Sequence, residues 1–333
     1  MFTRIFRSNN PANAFYLIAA LVLLWIIPMY APVSFAPRLY PAPLQKLTLL
    51  PAGWAWLRHL LVLALIAASA IVFNLTVDKY KLLAARNYMV AFYFVVVSYF
   101  FPALHIAAAL FLSVLNIDCA FGMFHSSAPR KEAFLCGLIL AAAFLFYPPA
   151  ALLLLFSVFA IFILSVSSFR HLFILLIGFL LPCLYYGVWL FWTDRLDAYM
   201  ENAFIFSHMH TAAFLELKIT TLAPLALASL LVLLAIPPCY RQMSTCVISV
   251  KKMYSLLLLC AALSLSMMWF AGSGTLPLLF ALAPFALFFT IFLQAIKRTF
   301  LAEAVLCIFI ALGIFKQLAD CGLLSISFPN FTP

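Results

Sequence analysis

The chain has 333 residues, of which 68% are apolar, 17% aromatic and only 8% charged. Because soluble domains carry about 25% charged residues, this composition excludes a water-soluble globular protein. The net charge of +10 is dispersed in twos and threes along the chain, which argues against a nucleic-acid partner and favours contact with anionic lipid headgroups. We therefore expect an integral membrane protein whose first partner is the lipid bilayer.

Apolar stretches of about 20 residues recur along the whole chain, each long enough to cross a bilayer as a helix. In hydrocarbon every backbone polar group needs an internal partner, and the stretches lack the polar alternation of a membrane β-barrel. The sequence thus predicts an all-α, polytopic transmembrane helix bundle, with residues 1–333 forming a single integral membrane domain. The roughly eleven predicted spans are 13–31, 56–77, 86–102, 103–124, 132–148, 149–168, 171–193, 219–238, 253–272, 275–295 and 299–318.

Two joints between spans, at Pro102 and at Tyr147-Pro148-Pro149, are compatible with either a hairpin or a kink. If both are hairpins, thirteen of the nineteen Lys and Arg residues lie on one side of the membrane. These are Arg4, Arg7, Lys79, Lys81, Arg86, Arg130, Lys131, Arg170, Arg241, Lys251, Lys252, Lys297 and Arg298. The other side holds Arg38, Lys46, Arg58, Arg195, Lys218 and Lys316. A merged pair would scatter the basic residues over both faces, so the positive-inside bias predicts eleven spans with the amino end inside and the carboxyl end outside.

The fourth span carries an acidic residue, Asp118, well inside its apolar run. At 1.5 Å per residue it lies on the order of 9 Å from the cytoplasmic end of the span. A carboxylate at that depth is costly, and it marks a substrate or proton pathway, a side chain that extends to the inner interface, or an ion pair with a neighbouring helix. Arg86 is an example of a basic partner for a structural pair.

Span seven contains Gly178 and Pro182 four residues apart. Proline has no amide proton and crowds the carbonyl four residues earlier, so we expect a kink that leaves the Gly178 carbonyl without its helical partner. Such a feature serves either helix packing or the lining of a cavity, and packing is the favoured interpretation.

The predicted outward loop 194–218 is the segment richest in candidate chemistry. Asp197 and Glu201 lie four residues apart and share a face on a helix, whereas His208 and His210 share a face only in extended chain. Two carboxylates and two imidazoles can ligate a divalent ion or act as acid and base on a lipid headgroup. The favoured alternative is an amphipathic helix in the headgroup layer.

No resident cofactor or metal ion is predicted. The eight cysteines include no C-x-x-C pair, and most lie in apolar spans as small buried side chains. The H-x-H pair with distant acids matches no strict metal spacing, and no Gly-rich phosphate loop, G-x-S-x-G or H-E-x-x-H motif is present.

Four segments carry a family resemblance: residues 2–11, 73–87, 145–148 and 170–182. Together they resemble a family of uncharacterised multi-pass inner-membrane proteins of the Bacteroidota. The resemblance covers about the first 200 residues. It implies a bacterial cytoplasmic membrane location and a link to envelope biogenesis, and it transfers no catalytic residues.

Three classes of function remain open, and whether the protein is an enzyme is one of the open points. The favoured class is an envelope scaffold or accessory protein without catalysis, in contact with envelope proteins. The second is an enzyme acting on a lipid-linked sugar or another polyprenyl substrate. Glycosyltransferases of that kind place an acidic residue in the first outward loop, and residues 31–55 contain none.

A transporter is the third class, and only Asp118 and Pro182 support it. The paired broken helices of an inverted repeat are not visible in the sequence. A His-ligated iron oxygenase acting on an apolar substrate is a distant variant of the enzyme class. It is disfavoured because the six histidines lie on both sides of the membrane in the predicted topology.

Overall fold

The computed structural model describes residues 15–23, 55–83, 87–98, 104–125, 129–164, 169–196, 234–271, 276–296 and 299–320. Within these ranges the chain is helical and contains no β-strand, so the all-α prediction is confirmed. The main helices are α1 (Ala55–Lys79), α2 (Met89–Val97), α3 (Leu104–His125), α4 (Pro129–Phe146), α5 (Leu153–Ile163), α6 (Phe169–Trp192), α7 (Ile248–Ala271), α8 (Leu282–Ala295) and α9 (Thr299–Asp320). Residues 15–23 and 234–245 are helical as well.

Five helical segments of the described chain are long and apolar enough to cross a membrane. They are Trp56–Lys79, Leu104–Phe124, Phe169–Trp192, Ile248–Met267 and Leu278–Ala295. Each lies within or close to one predicted span, because a run of about 20 apolar residues is a strong local signal for a membrane helix. The protein is therefore a membrane protein by length and composition of its helices.

Two of the predicted spans contain much shorter helices. Helix α2 has nine residues, all buried, and at 1.5 Å per residue it is about 14 Å long, less than half of a hydrocarbon core of about 30 Å. Helix α5 has eleven residues and follows a 3₁₀ turn over Pro148–Leu152. Helix α2 is apolar on all sides, which is typical of a helix enclosed by other helices. Helix α5 differs, since its Leu155, Phe159 and Phe162 are exposed.

The chain breaks its helix at the Tyr147 joint. Helix α4 ends at Phe146, Tyr147 adopts an extended conformation, and Pro148 and Pro149 begin the 3₁₀ turn. Prolines lack the amide proton that a continuing helix needs, so they favour this break over a single kinked helix. The other joint, at Pro102, lies outside the described residues.

Packing connects the main helices to one another. Helix α1 packs on α3, α3 on α4 and α4 on α6, while α2 lies between α1 and α8, and α7 packs against α5 and the 3₁₀ turn Leu276–Ala281. Aromatic rings contribute to these contacts: Tyr93 of α2 meets Phe289 of α8 edge to face at 5.0 Å between ring centroids. Tyr147 stacks on Phe280 at 5.4 Å.

Helices α4 and α6 approach each other at backbone contact. A Cβ atom added to Gly137 would collide with the carbonyl oxygen of Leu175, and one added to Gly178 would collide with the carbonyl oxygen of Phe134. Helix α6 continues through Pro182 to its end at Trp192. Gly178 therefore serves close helix packing, as favoured from the sequence.

Candidate functional site

Polar side chains gather where α1 and α3 end and α4 begins. Asp118 lies near the carboxyl end of α3, and Lys79 Nζ is 3.1 Å from its Oδ1 and 3.2 Å from its Oδ2. Thr76 Oγ1 lies 3.3 Å from the same Oδ1. The side chains of Lys79 and Asp118 are 57% and 32% exposed, so the ion pair lies at the edge of the bundle and not in its core.

Two further contacts extend this cluster towards α4. The Tyr80 hydroxyl donates to the carbonyl oxygen of Asp118 at 3.2 Å, and Cys119 Sγ lies 3.3 Å from both the backbone oxygen and Oε2 of Glu132. Burial raises the pKa of the Tyr80 phenol, which keeps it protonated as a donor. The cluster consequently connects three helices through hydrogen bonds and one ion pair.

The basic partner of Asp118 is Lys79 of the adjacent helix. Arg86, the example chosen from the sequence, lies outside the described residues. The predicted topology contained a signal for Lys79, because spans two and four were both expected to end on the inner side. Distance along the chain does not reveal which helices are neighbours, so that signal could not select one cation.

A second polar contact within the bundle was not predicted. Asn116 Nδ2 donates to Ser157 Oγ at 3.0 Å, and Asn116 Oδ1 lies 3.2 Å from the same hydroxyl oxygen. Both residues are buried, and they join α3 to α5. Interhelical hydrogen bonds of this kind stabilise membrane helix pairs by about 0.6 to 2 kcal/mol.

The four candidate residues of the outward loop, Asp197, Glu201, His208 and His210, lie outside the described residues. The described chain reaches the start of that loop, where α6 ends with a left-handed Asp194 (φ 52°) and a hydrogen bond from Arg195 N to Leu190 O. Among the residues that the structure describes, no group of three or more His, Cys, Asp or Glu side chains could hold a metal ion.

Further hydrogen bonds bring the later helices to the same end of the bundle. The Tyr254 hydroxyl, near the start of α7, donates to the carbonyl oxygen of Leu82. Gln242 Nε2 lies 3.4 Å from that hydroxyl, and Gln294 Nε2, at the end of α8, lies 3.7 Å from Met89 Sδ at the start of α2. The ends of α1, α3 and α8 and the starts of α2, α4 and α7 therefore meet at one end, which we call the basic end.

Comparison with known proteins gives one result. No curated protein and no solved structure matches the chain. A family model described as a family of unknown function, DUF6427, matches residues 50–320. The matched range extends well beyond the first 200 residues that carried the resemblance, and it includes the ion pair, the Asn116–Ser157 contact and helices α1 to α9. The chain belongs to the DUF6427 family of unknown function.

Proposed function

We propose that the protein is a multi-pass protein of a bacterial cytoplasmic membrane that acts as a scaffold or accessory in envelope biogenesis. The observation that carries the proposal is the pairing of Asp118 with Lys79. A carboxylate that serves a pathway faces a cavity or a substrate, whereas this one is neutralised by a neighbouring helix at the edge of the bundle.

Several other intramembrane polar groups support the same proposal. Ser69, Ser264 and Thr290 each donate to the carbonyl oxygen four residues earlier in their own helix, and Asn116 pairs with Ser157. Side chains used in this way have their hydrogen-bonding groups occupied within the bundle, and they present no acid, base or nucleophile to a substrate.

The proposed topology has eleven spans, with the amino end inside and the carboxyl end outside. Its support is that the starts and ends of six helices meet at the basic end. Exposed basic residues flank these helices: Lys79, Lys81, Arg130, Lys131 and Arg241. Trp56 and Trp192 lie at the ends of α1 and α6 that point away from the basic end, and they are 63% and 85% exposed. Exposed tryptophans at helix ends are typical of the aromatic belt at a membrane interface. The basic end would face the cytoplasm.

The enzyme alternative depends on the outward loop, so it can be separated from the scaffold proposal by experiment. The full chain would be extracted in mild detergent from its native membrane, and bound proteins and lipids would be identified by mass spectrometry. We expect envelope proteins in fixed proportion to the chain. Enrichment of a polyprenyl-linked sugar that is consumed on incubation would overturn the proposal.

Two variants sharpen this test. Replacing Asp197 and Glu201 together by Asn and Gln removes the two candidate carboxylates of the loop without touching a described helix. The scaffold proposal expects unchanged partners and an unchanged envelope phenotype in this variant. Loss of function with normal protein levels would favour the enzyme instead, because only catalysis on the outer side requires those carboxylates.

A further inference from the structure

The amino-terminal ends of α4 and α6 lie at the same end of the bundle. Helix α4 starts at the basic end because it follows α3, and Cys119 of α3 contacts Glu132. Beyond the glycine contact, the rings of Phe144 and Phe179 lie 5.8 Å apart between centroids. Tyr147 stacks on Phe280 just before α8 starts, at the end opposite the basic end, whereas Ser157 of α5 contacts Asn116 of α3. Helix α5 therefore runs back towards the basic end, so α6 starts there and runs parallel to α4.

Arg130 and His171 lie at the same distance along their helices from the glycine crossing. His171, Leu175 and Gly178 are spaced by four and three residues, which puts them on one stripe of α6. Leu175 and Gly178 pack against α4. Arg130 precedes Gly137 by seven residues, as His171 precedes Gly178, so both side chains lie two turns from the crossing and at the basic end.

The ring nitrogens of His171 need hydrogen-bond partners that the described neighbours do not supply. Both ring nitrogens are buried and have no hydrogen-bond partner within the described chain. An imidazole always offers at least one N–H donor, and a buried polar atom without a partner indicates a missing water or ligand. Arg130 and Arg170 are exposed, and in the described part of the chain neither forms an ion pair.

We propose that the groove between the first turns of α4 and α6 binds the phosphate headgroup of an anionic membrane lipid. Arg130 and Arg170 supply guanidinium donors, which suit phosphate oxygens, and His171 supplies a ring N–H. Basic grooves between membrane helices on the cytoplasmic side are suited to such headgroups. The inference extends the proposed function and requires only that α4 and α6 lie in a membrane.

The surface beside the groove favours a lipid over a free anion. Only 11% of the most apolar part of α6 is buried. Phe173 and Ile177, which follow Arg170 by one and two helical turns, are 61% and 56% exposed. An acyl chain can lie against these side chains while its phosphate remains at Arg170 and His171. Inorganic phosphate would gain nothing from that apolar surface.

The test uses the full chain in detergent with added lipid. Thermal unfolding would be followed while phosphatidylglycerol is titrated, with phosphatidylcholine as the neutral lipid and inorganic phosphate as the free anion. We expect phosphatidylglycerol to raise the unfolding temperature in a saturable way and the other two to have little effect. The variant R130Q/R170Q should weaken the apparent lipid affinity at least about tenfold.

A matched control is K81Q/R241Q, which removes two exposed cations from the same end of the bundle but not from this groove. Equal weakening in both variants, or in neither, would overturn the proposal, as would protection by inorganic phosphate alone. His171→Leu tests the groove without changing a permanent charge. It should weaken lipid binding, while its lipid-free unfolding temperature stays the same or rises because a buried unpaired group is gone.

Discussion

The Asp118 carboxylate is accommodated at the edge of the bundle by a cation from the neighbouring helix. Lys79 is the last residue of α1, and its flexible side chain reaches both carboxylate oxygens. Long basic side chains at helix ends extend towards the interface in this way. At the residue scale Asp118 is therefore a partner in a contact between helices. Its place at the edge of the bundle keeps the cost of burying its charge low.

This arrangement predicts a small effect of breaking the ion pair. Asp118→Asn and Lys79→Gln should each lower the free energy of unfolding by about 1 kcal/mol or less, because the pair is partly exposed. A double-mutant cycle in detergent unfolding should give a coupling of similar size. Lys81→Gln, which removes an exposed cation two residues from Lys79, is the matched control and should be close to neutral.

A different outcome would change the role assigned to Asp118. If Asp118→Asn abolished an envelope phenotype while the unfolding free energy and the protein level stayed normal, the carboxylate would serve a pathway and not a helix contact.

At the scale of elements, glycine decides how closely α4 and α6 approach. Gly137 and Gly178 each leave room for a backbone carbonyl of the other helix, and neither position can accept a Cβ atom without separating the helices. Small residues permit such approaches in membranes, where packing replaces the hydrophobic driving force. Gly187 of α6 differs, since a Cβ atom there would meet nothing within 4 Å.

The two kinds of glycine make a paired prediction. Gly137→Ala should destabilise the protein by roughly 1–3 kcal/mol, because the added methyl group overpacks the helix contact. Gly187→Ala should be neutral or slightly stabilising, since alanine is the better helix former by up to about 1 kcal/mol. Unfolding temperatures in the same detergent would compare the variants. Equal effects at the two positions would show that the α4–α6 contact is not close in the membrane.

At the scale of the whole molecule, the short helix α2 still takes part in a crossing. Lys79 at the end of α1 pairs with Asp118 towards the end of α3, while α3 starts at Leu104, about 14 residues and 21 Å from Asp118 along its axis. The chain must therefore return to the opposite end between residues 83 and 104. Nine residues of α2 cover only part of that distance, so the crossing is not one regular membrane helix.

Reporter fusions test the proposed topology. Alkaline phosphatase fused after Tyr147, Arg195 or Pro333 should be active, because these positions are expected outside, and fusions after Lys81 or Ala128 should be inactive. A cytoplasmic reporter such as a fluorescent protein should give the reverse pattern. Phosphatase activity after Ala128 would contradict the orientation derived from the basic residues.

Several features could be predicted from the sequence because they depend on local composition. The membrane class, the helical fold and the five long apolar helices follow from runs of apolar residues, each read without knowledge of the rest of the chain. The favoured packing role of Gly178 was also correct, since small residues in membrane helices are common at helix contacts. The role of the outward loop stays a prediction.

The sequence alone thus determined that the protein lies in lipid and where its long apolar helices are, because hydropathy is a property of each segment. Only the tertiary structure decided that α2 and α5 are short, that α2 is enclosed, that Lys79 is the partner of Asp118, and that Ser157 contacts Asn116. Neighbour choice depends on which helix faces come together. A partner 39 to 41 residues away leaves no periodic signal along the chain.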